Sequence, residues 1–282
     1  MAQAEFYRPA NLDEACALLT QYGAKAKVIA GGTDLMVAVN RKRLSPEVLI
    51  YIGDCGLNYV KMVGDQLVIG AFTTHTELAK SSLVMEKAPL LAEAVGQIGS
   101  RAIRNMGTIG GNLVTASPAA DGAAALMALD AELKLVSQNG ERVFRVESFF
   151  TGPGETVRQA HELIKEIIIP PQAAGSKHGW YKLGQRKADV CGAVSAAIVV
   201  EMQNGTCRKA RIVLGAVAPT PLLAQAAGSK LQGKALDHTV IAEAAQAAAN
   251  ATAPIDDWRA TAWYRQRASG AIVKRLLEQI SV

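Results

Sequence analysis

Two turns built on adjacent glycines, about eighty residues apart, constrain this chain more than any other feature. The first turn, AGGTDL at 30–35, follows the apolar run AKVIA, and the second, GTIGGN, spans 107–112. Paired glycines adopt backbone angles closed to other residues and leave the main chain open to a ligand. Because exposed backbone N–H groups in such turns bind anions, the two together predict a clamp on a diphosphate. Either turn alone is better explained by ordinary turn chemistry, and the occurrence of both in one domain is what indicates a ligand.

The spacing of these glycines excludes two common nucleotide sites. Neither turn reads GxGxxG followed at once by a helix, which disfavours a Rossmann site. Neither reads GxxxxGK[ST], which disfavours a nucleoside triphosphatase. The polar members are Thr33 and Asp34 in the first turn, and Thr108 and Asn112 in the second.

Composition indicates a folded protein with no nucleic-acid partner. The chain has 282 residues, half of them apolar and a fifth charged, which suits one large domain or two. Its net charge of +5 is scattered, and the densest basic group is the RKR at 41–43. We interpret this charge as solvated surface, although a basic patch facing an acidic partner or a phosphate-bearing ligand remains open.

The cysteines and histidines predict neither a metal site nor a disulfide framework. No cysteine pair forms CxxC, and the histidines form neither HxxxH nor HExxH. We expect four reduced cysteines and no cysteine-ligated iron–sulfur cluster in this chain. Residues 1–10 lack the features of a signal peptide, and no run of 18 apolar residues occurs, so a soluble, cytoplasmic protein without a membrane span is expected.

Hydrophobic periodicity predicts an α+β chain with mixed sheets in its first part. Asn11 and Gly23 are expected to cap a helix between them. Buried strands are predicted at 26–30, 47–53 and 163–169, and two hairpins are predicted around Gly64–Asp65 and Asn139–Gly140. Residues 75–99 are expected to form a helix in two pieces, broken near Pro89.

The character of the sequence changes after Pro171. A loop is expected at 172–179, then two strands joined by a turn at Asn204–Gly205, and then alanine-rich helices. The last helix is predicted to bury an apolar stripe through Trp263, Ala271, Val273 and Leu277. We therefore place a domain boundary between residues 172 and 178.

Ordered motifs along nearly the whole chain resemble one family. They include AGGTDL, RNMGTIGGNL, SPAADGAAAL, FFTGPGET, ELIKEIIIPP, WYKLGQRKA and WRATAWYRQRASGAIVKRLL. The chain resembles the FAD-binding subunit of molybdenum hydroxylases, the xanthine dehydrogenase and carbon monoxide dehydrogenase flavoprotein family. TGPG resembles the purine-oxidising branch more than the carbon monoxide branch.

The resemblance implies a fold and a cofactor. It implies an FAD-binding domain of the vanillyl-alcohol-oxidase (PCMH) type over 1–174, with α+β subdomains at about 1–56 and 57–174 and FAD between them. A C-terminal domain with a small antiparallel sheet and helices is expected over 175–282. Some members of the wider fold attach FAD through a histidine. Because Thr33 and Asp34 stand at that place here, we expect non-covalent FAD. The ungrouped cysteines predict that the extra four-iron cluster of another branch is absent.

The resemblance also implies which residues contact the cofactor. Those expected at the diphosphate are Lys27, Val28, Ile29, Ala30, Gly31, Gly32, Thr33, Asp34, Gly107, Thr108, Ile109, Gly110, Gly111 and Asn112. Asp121 matches a polar contact, Leu163 an apolar contact, and Tyr181 and Lys182 match residues lining the flavin. Other interpretations stay open: Asp121 as a helix N-cap, Leu163 as plain core and Lys182 as a solvated lysine. Met106 is expected to pack, and no catalytic or metal-binding residue is predicted.

The implied function is electron transfer within a complex. A large molybdopterin subunit would oxidise the substrate, and a small [2Fe-2S] subunit would pass the electrons to the flavin of this chain. The external acceptor is expected to be NAD by analogy with xanthine dehydrogenase, with a quinone or oxygen as alternatives, and the assembly a dimer of heterotrimers. Two other functions remain: a self-contained flavin oxidase of a small alcohol, and a non-catalytic nucleotide-binding or assembly module.

Overall fold

The computed structural model describes residues 4–281. Residues 1–3, which begin the segment used to exclude a signal peptide, lie outside the described residues, as does residue 282. The described chain is α+β, as predicted, and its strands form a parallel sheet, two antiparallel sheets and a two-stranded ribbon. The expectation of mixed sheets in the first part is wrong, because each sheet there is purely parallel or purely antiparallel.

A three-stranded parallel sheet organises the first 56 residues. Its elements are β1 (Glu5–Tyr7), α1 (Leu12–Tyr22), β2 (Ala26–Ile29), α2 (Leu35–Asn40) and β3 (Val48–Tyr51), with strand order β1-β3-β2. The Asn11 side chain accepts a hydrogen bond from the Glu14 N–H at 2.9 Å, and Gly23 ends α1 with φ of 51°. Both predicted caps and both predicted strands are confirmed. The first glycine turn joins β2 to α2.

A five-stranded antiparallel sheet, ordered β4-β5-β10-β6-β7, organises the next part of the chain. Its strands are β4 (Val60–Val63), β5 (Gln66–Gly70), β6 (Glu132–Ser137), β7 (Gly140–Arg145) and β10 (Leu163–Ile169), and β8 (Phe150–Gly152) pairs with β9 (Glu155–Thr156) as the ribbon. Its helices are α3 (His75–Lys80), α4 (Ser82–Lys87), α5 (Pro89–Gly96), α6 (Arg101–Met106), α7 (Ile109–Thr115) and α8 (Asp121–Ala128). The second predicted turn is wrong in part: only Gly107 and Thr108 lie between α6 and α7, and Ile109–Asn112 already form the first turn of α7, without left-handed backbone angles at Gly110 or Gly111.

Two local predictions in this part are wrong by small margins. The helical run from residue 75 is in three pieces because Ser81 caps a new helix, its hydroxyl accepting from the Val84 N–H at 3.3 Å. The second hairpin turns at residues 138 and 139, and Gly140, with φ of 113°, already pairs with Ser137. The Ser137 hydroxyl accepts from the Asn139 N–H at 3.1 Å and fixes that register. The turn at Gly64–Asp65 is confirmed.

The C-terminal part is an antiparallel sheet covered by helices. Its elements are β11 (Ser176–Leu183), β12 (Val194–Gln203), β13 (Thr206–Gly215), β14 (Leu222–Leu223), α9 (Gln225–Leu231), α10 (His238–Asn250) and α11 (Ala262–Ser281). The turn at Asn204–Gly205 is confirmed. The loop expected at 172–179 is shorter than predicted, because β11 begins at Ser176 and pairs there with β12. In α11, Trp263 and Ala271 are exposed, so that part of the predicted stripe is wrong, and the buried face instead includes Arg265 and Ser269.

The alternation of side chains along β12 places its two faces in different cores. Ala196, Ile198 and Val200 pack with α9–α11, whereas Ala197 and Val199 pack in the core of the preceding part, which includes α8. Helix α8 is buried along its whole length, which explains why its sequence is apolar all round. Within residues 4–281, no helix is long and apolar enough to cross a membrane.

Candidate cofactor-binding site

The two glycine turns touch each other. A Cβ added at Gly31 would overlap the carbonyl oxygen of Met106, and it would stand 2.5 Å from the Met106 carbonyl carbon. The Thr115 hydroxyl, at the end of α7, donates to a carboxylate oxygen of Asp34 at 2.9 Å. Because only a residue without a side chain permits this approach, Gly31 brings the two loops together into one site.

The second loop is held by the segment that follows β5. The N–H of Gly110 donates to Ala71 O at 2.9 Å, the N–H of Ile109 to Thr73 O at 3.0 Å, and the N–H of His75 to Gly107 O at 3.0 Å. A Cβ at Gly110 would lie 2.7 Å from Ala71 O. The absence of a side chain at Gly110 therefore serves a contact within the protein.

Backbone donors of the first loop remain free. The N–H groups of Gly31, Gly32 and Thr33 have no acceptor among residues 4–281. Gly32 has φ of 70°, in the left-handed region that glycine adopts at little cost. Successive unpaired N–H groups in such a turn form a concavity for an anion. The first loop is thus the richer source of donors, because the N–H groups of Ile109 and Gly110 are already bonded.

A buried ion pair lies between α8 and β11. Nζ of Lys182 is 2.6 Å from a carboxylate oxygen of Asp121, with side chains only 6% and 4% exposed, and it also donates to Gln97 O at 3.0 Å. Ala120 is the N-cap of α8, and Asp121 makes no capping bond, so the interpretation of Asp121 as an N-cap is wrong. The interpretation of Lys182 as a solvated lysine is also wrong. Burial raises the pKa of Asp121 to about 6, and Lys182 opposes that shift.

Two acceptor atoms near the start of α8 lack donors. Asn112 Oδ1 and Asp121 Oδ1 are buried and have no hydrogen-bond partner among the described residues. The Asn112 oxygen lies 2.9 Å from the position a Cβ on Gly122 would take, which brings it to the helix start beside Asp121. A buried acceptor without a donor costs about 1–3 kcal/mol, so a ligand rich in hydroxyl or N–H donors would be stabilised here. FAD has ribityl hydroxyls and a ring N–H for these acceptors, and a diphosphate for the free donors of the first loop.

The other residues predicted at the cofactor occupy mixed environments. Lys27, Val28, Ile29 and Ala30 are half-buried on or just after β2, and Leu163 belongs to the apolar core of the first 56 residues. Tyr181 and Lys182 are neighbours on β11 and so point to opposite faces. The Arg275 guanidinium of α11 lies 5.4 Å from the centre of the Tyr181 ring, away from Asp121.

Several residues at this site were not predicted from the sequence. Met106 supplies its carbonyl to the loop contact while its side chain is 57% exposed, so the expectation that it packs is wrong. His75 is buried, and its ring lies against Gly107, 3.2 Å from the position of a Cβ there. Burial, with a smaller effect of Arg104, lowers the pKa of His75 to about 4. The capping box formed by Thr74 and Glu77 marks the start of α3, the helix that begins at His75. This pattern could have located the helix start from the sequence.

The cysteines and acidic groups offer no metal centre. Among the described residues, no three His, Cys, Asp or Glu side chains cluster to hold a metal ion. Cys16, Cys55 and Cys207 are buried free thiols, and Cys191 is exposed. Burial raises the pKa of Cys55 and of Cys207 to about 11, which keeps both thiols protonated.

Comparison with known proteins gives full-length relatives. The chain is 36% identical to the carbon monoxide dehydrogenase medium chain of Hydrogenophaga pseudoflava, over 97% of this chain and 95% of that one. It is 28% identical to the xanthine dehydrogenase FAD-binding subunit of Escherichia coli O157:H7, over 98% and 95%. A solved structure of the Hydrogenophaga pseudoflava carbon monoxide dehydrogenase, one lacking the Mo-pyranopterin moiety of its cofactor, superposes with a TM-score of 0.95, covering 98% of this chain and 96% of that chain at 36% identity.

The TGPG motif indicates the purine-oxidising branch, but these identities do not support that. The chain is 36% identical to the carbon monoxide dehydrogenase medium chain and 28% identical to the xanthine dehydrogenase subunit. Two family matches cover the sequence. Residues 2–172 match the FAD binding domain in molybdopterin dehydrogenase, and residues 179–280 match the CO dehydrogenase flavoprotein C-terminal domain. The chain therefore belongs to the family of FAD-binding subunits of molybdenum hydroxylases, and it is an oxidoreductase subunit whose cofactor is FAD.

Proposed function

We propose that this chain holds FAD without a covalent bond, takes electrons from the [2Fe-2S] clusters of a small partner subunit and passes them to an external acceptor. The observation that carries the proposal is the joined pair of glycine loops, with free N–H donors at Gly31, Gly32 and Thr33 facing no protein acceptor among the described residues. Bound FAD supplies both one-electron and two-electron chemistry.

Each part of the site has a distinct task in this proposal. The end of β2 and the first loop, Lys27–Asp34, bind the diphosphate through their backbone, and the second segment, Gly107–Asn112, forms the opposing wall held by Ala71 and Thr73. Asn112 and Asp121 accept from donors of the cofactor, and Lys182 fixes Asp121. Leu163 and Tyr181 remain proposed apolar and ring-lining contacts.

The names of the relatives support an electron relay between subunits. In this proposal the iron–sulfur and molybdenum centres belong to small and large partner subunits. The relatives are named medium chains or FAD-binding subunits, which supports the presence of partner subunits. We propose that the complex is cytoplasmic and a dimer of heterotrimers. NAD is the proposed acceptor.

We place the domain division at 174/175, since one family match ends at residue 172 and the next begins at residue 179.

Anaerobic reconstitution tests the relay. The FAD-loaded chain is mixed with carbon monoxide, a purine, nicotinate or an aldehyde, with and without its molybdenum and iron–sulfur partners, while flavin absorbance is followed. We expect bleaching only with both partners present, and reoxidation on adding NAD. Rapid bleaching of the chain alone would favour the self-contained oxidase. FAD binding without reduction in the full complex would favour the non-catalytic module. Reoxidation by a quinone or oxygen but not by NAD would reassign the acceptor.

A further inference from the structure

The Asp121–Lys182 pair is unusual among the lysine–carboxylate pairs of the described residues. In every other lysine–carboxylate pair within residues 4–281, the lysine side chain is at least 25% exposed, whereas that of Lys182 is 6% exposed. The pair joins the first residue of α8 to the strand β11 of the C-terminal part. An ion pair at a protein surface contributes little, whereas attraction between buried charges is strong and costly to break.

We propose that Asp121 neutralises Lys182, so that the bound flavin meets a neutral pair rather than a free cation, and that Asp121 thereby keeps the flavin harder to reduce. This inference rests on the proposed placement of FAD beside these residues. A lone buried lysine would favour the negatively charged reduced form of a flavin. The pair instead offers a hydrogen-bond acceptor without net charge.

The geometry supports pairing over a free cation. Two of the three donors of the Lys182 ammonium are engaged, one by Asp121 Oδ2 at 2.6 Å and one by Gln97 O at 3.0 Å. The other carboxylate oxygen, Asp121 Oδ1, is the one buried without a donor. A ligand donor bonded to Asp121 Oδ1 would therefore leave the bond between Asp121 Oδ2 and Lys182 in place. Opening the pair for a ligand would leave two charges buried and apart, which is strongly unfavourable.

The test is a set of variants of the full chain loaded with FAD, with the midpoint potential measured by anaerobic spectroscopic titration at pH 7, where Asp121 of the unaltered chain is ionised. Asp121→Asn leaves the Lys182 charge uncompensated, and we expect it to favour reduced over oxidised flavin by at least about tenfold relative to the unaltered chain. Lys182→Met removes the charge that opposes the rise in the pKa of Asp121, so the buried carboxyl takes up a proton and the site stays neutral. We expect its potential, and that of the double variant, to match the unaltered chain.

A control pair lies in the five-stranded sheet, where Lys134 Nζ is 3.0 Å from Glu166. Glu166→Gln should leave the potential unchanged. A lower potential in Lys182→Met with an unaltered one in Asp121→Asn would overturn the inference, because Lys182 would then act as a free cation. Equal potentials in all variants would overturn it as well. If Asp121→Asn does not fold, Asp121→Ala, which also removes the carboxylate, takes its place with the same expected result. Failure of the unaltered chain to bind FAD would instead refute the proposed function.

Discussion

Replacing Gly31 with alanine should separate the two glycine loops. The added Cβ would overlap the Met106 carbonyl oxygen and stand 2.5 Å from its carbon and 3.1 Å from the Gly107 nitrogen. Non-bonded carbon atoms ordinarily sit about 3.5–4.0 Å apart, so one loop must move by about 1 Å. Overpacking of this kind costs about 1–3 kcal/mol.

We expect that cost to weaken FAD binding. If the loops separate by about 1 Å, the free N–H groups of the first loop no longer face the wall formed by the second. A loss of about 1–3 kcal/mol corresponds to an affinity lower by about 5-fold to 150-fold. Quenching of flavin fluorescence on titration into the apoprotein gives the dissociation constant, and thermal unfolding of the same samples shows whether the fold survives.

Two other glycines provide matched comparisons. Gly96→Ala places a Cβ 3.8 Å from its nearest neighbour, Ala79 Cβ, and should leave FAD affinity unchanged. In Gly111→Ala the Cβ would meet only the Thr108 hydroxyl, at 3.0 Å, so little stability should be lost. Affinity for FAD should nevertheless fall, because the added methyl group lies in the wall proposed to face the diphosphate. Unchanged affinity in both Gly31→Ala and Gly111→Ala would show that these loops do not hold the cofactor.

Further predictions concern stability, pH and the cofactor linkage. Gly110→Ala, which drives a Cβ to 2.7 Å from Ala71 O, should lower the free energy of unfolding by about 1–3 kcal/mol in urea titrations of the apoprotein, and an unaltered midpoint would contradict this. Burial lowers the pKa of His75 to about 4, so stability should fall by about 3 kcal/mol as the pH drops from 6.5 to 4, and His75→Gln should lack that loss. Hydrogen bonds from Arg259 hold the pKa of Asp257 far below its ordinary value. The resulting contribution to the free energy of unfolding should be present above about pH 4 and be lost below it, and Asp257→Asn should reduce this loss of stability at low pH. Acid precipitation should release all the flavin, and a yellow washed pellet would indicate a covalent bond.

Local chemistry was readable from the sequence at several places. The caps of α1 and the turns at Gly64–Asp65 and Asn204–Gly205 depend on residues within a few positions, and the structure has them as predicted. The turn of the second hairpin lies one residue before the predicted position, at residues 138 and 139. The Ser137 hydroxyl accepts a hydrogen bond from the Asn139 N–H and stabilises this register. The preference of Asn-Gly for a turn does not take this side-chain hydrogen bond into account.

Contacts between distant parts of the chain were beyond sequence reasoning. The overlap that forces glycine at position 31 involves a carbonyl of α6, and the orientation of that carbonyl depends on the tertiary fold. Asp121 and Lys182 were each singled out by resemblance, but their pairing depends on how β11 packs against α8. The opposite orientations of Tyr181 and Lys182 follow from strand alternation and could have been predicted.

The most direct test of this account is the structure of the chain with FAD bound. We expect diphosphate oxygens within hydrogen-bond distance of the N–H groups of Gly31, Gly32 and Thr33, and a cofactor donor on Asp121 Oδ1 with the Lys182 pair intact. A diphosphate bound elsewhere, with those three N–H groups still free, would contradict the central claim that the joined glycine loops hold the cofactor.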